Sequence, residues 1–260
     1  MILQSTAELG YIPSRIVSLV PSQTELLYDL ELDGATAGIT KFCIHPEAWF
    51  RTKPRVGGTK QVKREAVDAL RPDLIIANRE ENVKEQVEDL ARDYPVWVSD
   101  IHTLPHALGM ITDIGELTGT QTKAEQLRHR IQLAFEDIPQ QSVALKTAYL
   151  IWRQPYMTAG HDTFIHDMLQ RCGFHNIFSD RSRYPEISVT DLQNRDCELL
   201  LLSSEPYPFR QKHIDELQEQ LPQTRIMLVD GEMFSWYGSR LQWAPAYFKK
   251  LLEEPGIRNS

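Results

Sequence analysis

The feature that most limits what this chain can fold into is an echo of one half in the other. A helical stretch ending VDAL at 67–70 is followed by RPDLIIANREENVKEQVEDL and then by YPVWVSD. A second stretch with VTDL at 189–192 is followed by QNRDCELLLLSSEPYPFRQKHIDELQEQL and then by TRIMLVDGE. Helix, strand, acidic helix and strand recur in the same order. Strands alternating with helices call for parallel sheets, so the repetition predicts an α/β chain of two parallel-sheet, Rossmann-like domains rather than one large sheet.

Between the two copies lies Thr120 to Ile138. Its apolar residues Ala124, Leu127, Ile131, Ala134, Phe135 and Ile138 keep the three-or-four spacing of one helical face. At about 1.5 Å per residue such a helix runs roughly 28 Å, the width of a small domain, and can carry the chain from one domain to the next. The expected division is an N-terminal domain over 1–118, a single long backbone helix over 119–141 and a C-terminal domain over 142–260, with a ligand cleft between the domains.

Within the first copy, RIVSLVP at 15–21 reads as a strand running into a helix, with Ser22 and Glu25 spaced for a capping box. A short strand at 37–40 precedes a long loop over 41–60, and loops of that length are uncommon unless functional. Helices are expected near 64–70, 82–92 and 103–117, and strands at 73–78 and 95–100. In the second half a strand at 146–152 leads into a loop at 153–160. A helix over 163–172 is stopped by Gly173, and a last helix covers 239–254.

Ligands of open parallel sheets sit beyond the carboxyl ends of the strands. The loops that rule selects are rich in rings. Phe42, His45, Trp49, Phe50, Trp152, Tyr156, Tyr207, Phe209, Phe234, Trp236 and Tyr237 fall in them, with Lys60, Arg79, Arg153 and Arg240 beside or near them. Aromatic walls with a few cations suit a large, partly anionic ligand with ring character, although aromatics also pack cores. His45 is the one candidate metal ligand in that set, and the residues name no metal. His161 and His166 are five apart rather than four, which argues against a paired metal site on one helix face.

The net charge of −8 weighs against nucleic acid, which is bound through excess Lys and Arg, and no segment is apolar and long enough for membrane insertion. Cys43, Cys172 and Cys197 are odd in number and far apart, the pattern of buried reduced thiols rather than of a disulfide framework. GxGxxG, Walker, GxSxG and HExxH signatures are missing, so the chain does not read as an enzyme and no intrinsic cofactor is expected. The opening MILQSTAELGYIPSR lacks the pattern of a secretory leader. As written, the chain is expected in the cytoplasm, or in the periplasm if a leader lies outside this sequence.

Four segments in this order, RIVSLVPSQTELLYDL at 15–30, RVGG at 55–58, LRPDLIIA at 70–77 and DMLQRCGFHNIF at 167–178, resemble the substrate-binding proteins of ABC importers for vitamin B12, haem and ferric siderophores. The resemblance runs from about Arg15 to Leu252. It implies two α/β domains on one rigid backbone helix, a metal chelate (cobalamin, haem or ferric siderophore) held between them, only a small closing motion, and a monomer that docks on an ABC permease. In that family one surface glutamate per domain meets the permease. Glu65 matches the first, and the second position is Thr190 with Asp191 beside it. Around Lys60, where a B12-binding relative offers an aromatic, this chain is polar, which leaves the ligand open. The rival expectation is an intracellular enzyme or metallocofactor-handling protein on the same scaffold.

Overall fold

The computed structural model describes residues 1–139 and 144–257. The expected boundary between helix and second domain at 141/142 lies outside the described residues. The chain forms two compact units. The first takes in residues 1–101, 105–132 and 236–240, and the second 102–104, 133–235 and 241–260.

In the first unit, β1 (Ile16–Ser18), α1 (Pro21–Asp29), β2 (Thr36–Ile39), α2 (Glu47–Thr52), α3 (Arg64–Leu70), β3 (Leu74–Asn78), α4 (Lys84–Leu90), β4 (Val96–Ser99) and α5 (Leu104–Thr118) follow in order. The sheet order is β2-β1-β3-β4 and every pairing in it is parallel. The central strands are buried at every position, β1 as Ile-Val-Ser and β3 as Leu-Ile-Ile-Ala-Asn, because a parallel sheet is covered on both faces. Val17, Ile75 and Ala77 meet Val67, Val87 and Leu90 from the helices in one apolar cluster.

Two local readings of this half change. Helix α1 starts with Pro21 at its first turn and has no side-chain cap, so the Ser22/Glu25 capping box is not formed. Proline at the first helical position removes an amide that would otherwise need a cap, and Glu25 is drawn into a distant ion pair instead. The long 41–60 loop contains α2 and a tight hairpin in which Gly57 pairs with Val62.

Helix α6 (Gln121–Glu136) carries the chain from one unit to the next, its residues up to Gln132 belonging to the first and those from Leu133 to the second. Ala124, Leu127, Ile131 and Phe135 on its apolar face are buried, as the periodicity requires.

The second unit contains β5 (Lys146–Trp152), β6 (Tyr156–Thr158), α7 (Phe164–Arg171), β7 (His175–Asn176), β8 (Glu186–Ile187), α8 (Val189–Asn194), β9 (Leu199–Ser203), α9 (Gln211–Gln218), β10 (Arg225–Val229), α10 (Gly231–Ser235) and α11 (Ala244–Glu253). Its sheet order is β10-β9-β5-β6-β8, with β7 also on β5. Strands β5, β7, β9 and β10 pair in parallel, but β6 and β8 are antiparallel, so this sheet is mixed where a wholly parallel one was expected. The cause is local. Strand β6 lies inside the segment read as a loop, and Arg153–Pro155 is too short for a crossover, so the chain turns straight back beside β5. Gly173 ends α7 with φ +75°, its amide bonding Gln170 O at 2.9 Å while that of Phe174 reaches Leu169 O at 3.0 Å. The last helix is shorter than its pattern, a 3-10 turn over Ser239–Gln242 preceding α11.

Candidate functional site

A sheet in the order 2-1-3-4 changes winding direction between β1 and β3, and ligands of such sheets bind beyond the strand ends at that point. Here the strands end in short polar residues. Asn78 Nδ2 donates to Ser99 Oγ at 3.0 Å, Gln23 Nε2 donates to the same hydroxyl at 2.5 Å, and Asn82 Nδ2 donates to Thr59 O at 3.0 Å. All four side chains are buried, and they tie α1, the 57–62 hairpin and the ends of β3 and β4 together. Gln23 Oε1 is buried with no hydrogen-bond partner among the described residues.

Residues 236–240 lie on this unit although they come from the far end of the chain. Gly238 permits that approach, because a Cβ there would run into the carbonyl oxygen of Ser22. Arg240 grips Glu25 with two hydrogen bonds, Nη2 to Oε1 at 2.6 Å and Nε to Oε2 at 3.0 Å, with side-chain exposures of 11% and 8%. Burial raises the Glu25 carboxyl above its ordinary range by more than the Arg240 bonds lower it. The guanidinium carbon also sits 4.9 Å from the Trp236 ring centre, and the His45 ring meets that indole edge-on at 5.4 Å. Trp236, Tyr237 and Arg240 are themselves buried.

His45, Trp236, Tyr237 and Arg240 are thus brought into one unit, three of them in direct contact. The remaining candidates of this unit stand apart. Phe42 is half exposed, with Lys41 Nζ 5.0 Å over its ring. Trp49 is buried edge-on against Tyr28 at 5.4 Å, its ring committed to packing. Lys60 Nζ donates to Glu80 O at 2.5 Å, and Arg79 pairs with Asp100 at 2.9 Å on the surface.

In the second unit, β5 delivers Trp152, 41% exposed, to the carboxyl edge of the sheet, where it meets Tyr207 edge-on at 5.8 Å. Tyr207 in turn contacts Phe209 at 4.8 Å, and its hydroxyl lies 3.3 Å from His213 Nε2. Tyr156 packs half-buried on the core below. Arg153 bonds Glu216 at 2.5 Å, and hydrogen bonds with Tyr207 and Tyr156 help hold its pKa above the usual value. Burial pushes the His213 imidazole below its ordinary value.

Of the docking positions, Glu65 is exposed in the first turn of α3. Asp191 caps α8 instead: its Oδ2 accepts from Ser188 N at 2.8 Å and Ser188 Oγ at 2.7 Å, and Oδ1 lies 3.6 Å from Arg181. His161 and His166 turn to different partners, Arg181 O and Asn176. Among the described residues no group of three or more His, Cys, Asp and Glu is placed to hold a metal ion. Sequence reasoning missed Gln23, Asn78, Glu25 as an ion-pair partner, and His213. Only His213 carried a signal, a polar residue on the apolar face of the HIDEL helix.

A family model described as periplasmic binding protein matches residues 16–227. The vitamin B12-binding protein of Pectobacterium carotovorum subsp. carotovorum (strain PC1) is 25% identical over 243 residues, covering 88% of this chain and 85% of that protein. Two solved structures share the fold. The periplasmic vitamin B12-binding protein of Vibrio cholerae gives a TM-score of 0.78 at 19% identity, covering 95% of this chain and 99% of the other. The periplasmic haem-binding protein of the same organism gives 0.79 at 20%, covering 92% and 99%.

Proposed function

The chain belongs to the periplasmic binding protein family, and from that premise we propose that it binds a metal chelate for uptake through an ABC importer, with a corrinoid the first candidate and haem or a ferric siderophore next. It is a binding protein and not an enzyme. The observation that carries the chelate reading is the ring set at the carboxyl edge of the second sheet, Trp152 exposed over Tyr207 and Phe209. Broad apolar faces of this kind stack on planar or ring-bearing ligands, and Arg153 beside them can pair with a peripheral carboxylate or phosphate. In the first unit the half-exposed Phe42 and the His45 ring, which the buried Trp236 meets edge-on, offer the same ring contacts.

In this reading the protein works outside the cytoplasmic membrane as a monomer, and Glu65 is a contact for a permease arginine. Asp191 is the weaker counterpart in the second unit because its carboxylate already caps a helix. Titration with cyanocobalamin, haemin and a ferric hydroxamate, followed by absorption and tryptophan fluorescence, tests the proposal. Saturable binding of one of them, with no chemical change in the recovered chelate, supports it. Failure to bind all three overturns the chelate reading and leaves a binding protein for another ligand.

A further inference from the structure

The hairpin that interrupts the 41–60 loop encloses a second feature. Gly57, with φ +106°, starts the turn, Gly58 N donates to Gln61 O at 2.9 Å, and Lys41 N donates to Gly57 O at 2.8 Å. Between these segments lies a surface pocket of about 480 Å³, lined by Lys41, Arg55 and Lys63 together with Gly57, Gly58, Gln61 and Val62. Three of the lining residues are cationic and none is acidic, in a chain whose net charge is −8. The local sign is opposite to that of the whole molecule, and like charges gathered without an acid repel unless an anion joins them.

Arg55 is held by two contacts, and Lys41 rests on a neighbouring ring. The Arg55 guanidinium stacks 4.7 Å over the Phe50 ring and bonds the Lys53 carbonyl oxygen through Nη1. Lys41 lies over Phe42, and a Cβ on Gly58 would come within 3.2 Å of Lys41 Cε and 3.1 Å of Phe42 Cε2, so the glycine lets both side chains rest on the turn. One guanidinium and two ammonium side chains lining one pocket suit an anion with several oxygens.

We propose that this pocket is a binding site for a small organic anion carrying two or more oxyanion charges, of the phosphoryl or polycarboxylate class. The volume falls within the range of small-molecule sites and exceeds the needs of a single inorganic phosphate. None of the lining residues is among those assigned to the chelate, so variants of the pocket test this proposal separately from the chelate reading.

The test is calorimetric titration of the full chain with pyrophosphate and with citrate, at low and at raised salt, on the wild type and on Lys41→Ala, Lys63→Ala and Arg55→Met. Lys84→Ala, an exposed lysine elsewhere on this unit, is the control. The expected result is saturable binding of at least one anion, weakened tenfold or more in each pocket variant, unchanged in the control, and reduced by salt. Preference for pyrophosphate assigns the phosphoryl class, and preference for citrate the polycarboxylates. Absence of saturable binding in the wild type, or binding that survives Lys41→Ala and Lys63→Ala, overturns the proposal. Both lysines are exposed, so these variants remain informative even if Arg55→Met unfolds.

Discussion

Trp152 and Trp236 are the same residue type with opposite commitments. Trp152 is 41% exposed and touches Tyr207 by one edge, whereas Trp236 is 7% exposed between His45 and Arg240. Trp152→Ala is expected to weaken chelate binding by about 1–3 kcal/mol, as loss of a stacked ring does, and to leave the unfolding midpoint nearly unchanged. Trp236→Ala is expected to lower stability by about 3–5 kcal/mol, the usual cost of emptying a buried aromatic site. Denaturant unfolding and a ligand titration on both variants separate the roles, and equal stability losses would contradict the assignment. Glu25 gives a pH prediction. Its folded-state pKa is raised, chiefly by burial, so the folded protein holds this proton more tightly than the unfolded chain does. The stabilisation from protonating it is fully present below the ordinary glutamate value of 4.5 and is lost as pH rises through the raised one. Wild type should therefore gain stability relative to Glu25→Gln as pH falls through that window. Parallel unfolding curves for the two proteins from neutral pH down to 4.5 would show that Glu25 is not perturbed.

At the scale of elements, loop length and caps decide more than hydrophobic pattern. Strand β6 is antiparallel because the turn before it cannot make a crossover. Helix α8 is set by the Ser188 and Asp191 box, in which each residue bonds the other's amide. Ser188→Ala is expected to destabilise the chain by about 1 kcal/mol and to free the Asp191 carboxylate, whose pKa these backbone and side-chain hydrogen bonds to Ser188 depress. Thermal unfolding measures the first effect and carboxylate titration by NMR the second; an unshifted Asp191 would refute the capping role. Helix α1 shows the reverse case, a capping pattern in sequence that a proline start made unnecessary.

For the whole molecule, the first unit is not a contiguous N-terminal piece, since residues 236–240 complete it and Arg240 neutralises Glu25 inside it. Glu25→Leu in the full chain leaves Arg240 buried without its partner, which is expected to cost about 3–5 kcal/mol. In a fragment of residues 1–132 Arg240 is absent, and the same substitution should cost far less. Chemical unfolding of the four proteins tests this; equal penalties in chain and fragment would mean that the ion pair does not anchor the segment. The sequence by itself determined what depends on neighbours along the chain: the order of the main parallel strands and the helices between them, the apolar face of α6, the glycine stop after α7 and the ring-rich loops at strand ends. These follow from periodicity, burial on both sheet faces and turn chemistry, all written within a few residues. Only the tertiary structure decided which rings are exposed and which are core, as with Trp152 against Trp49, because exposure depends on what another segment covers. It alone joined Arg240 to Glu25, 215 positions apart, and gathered Lys41, Arg55 and Lys63 around one hairpin. Contacts of that kind are settled by how sheets and loops pack in space, and local spacing carries no record of them.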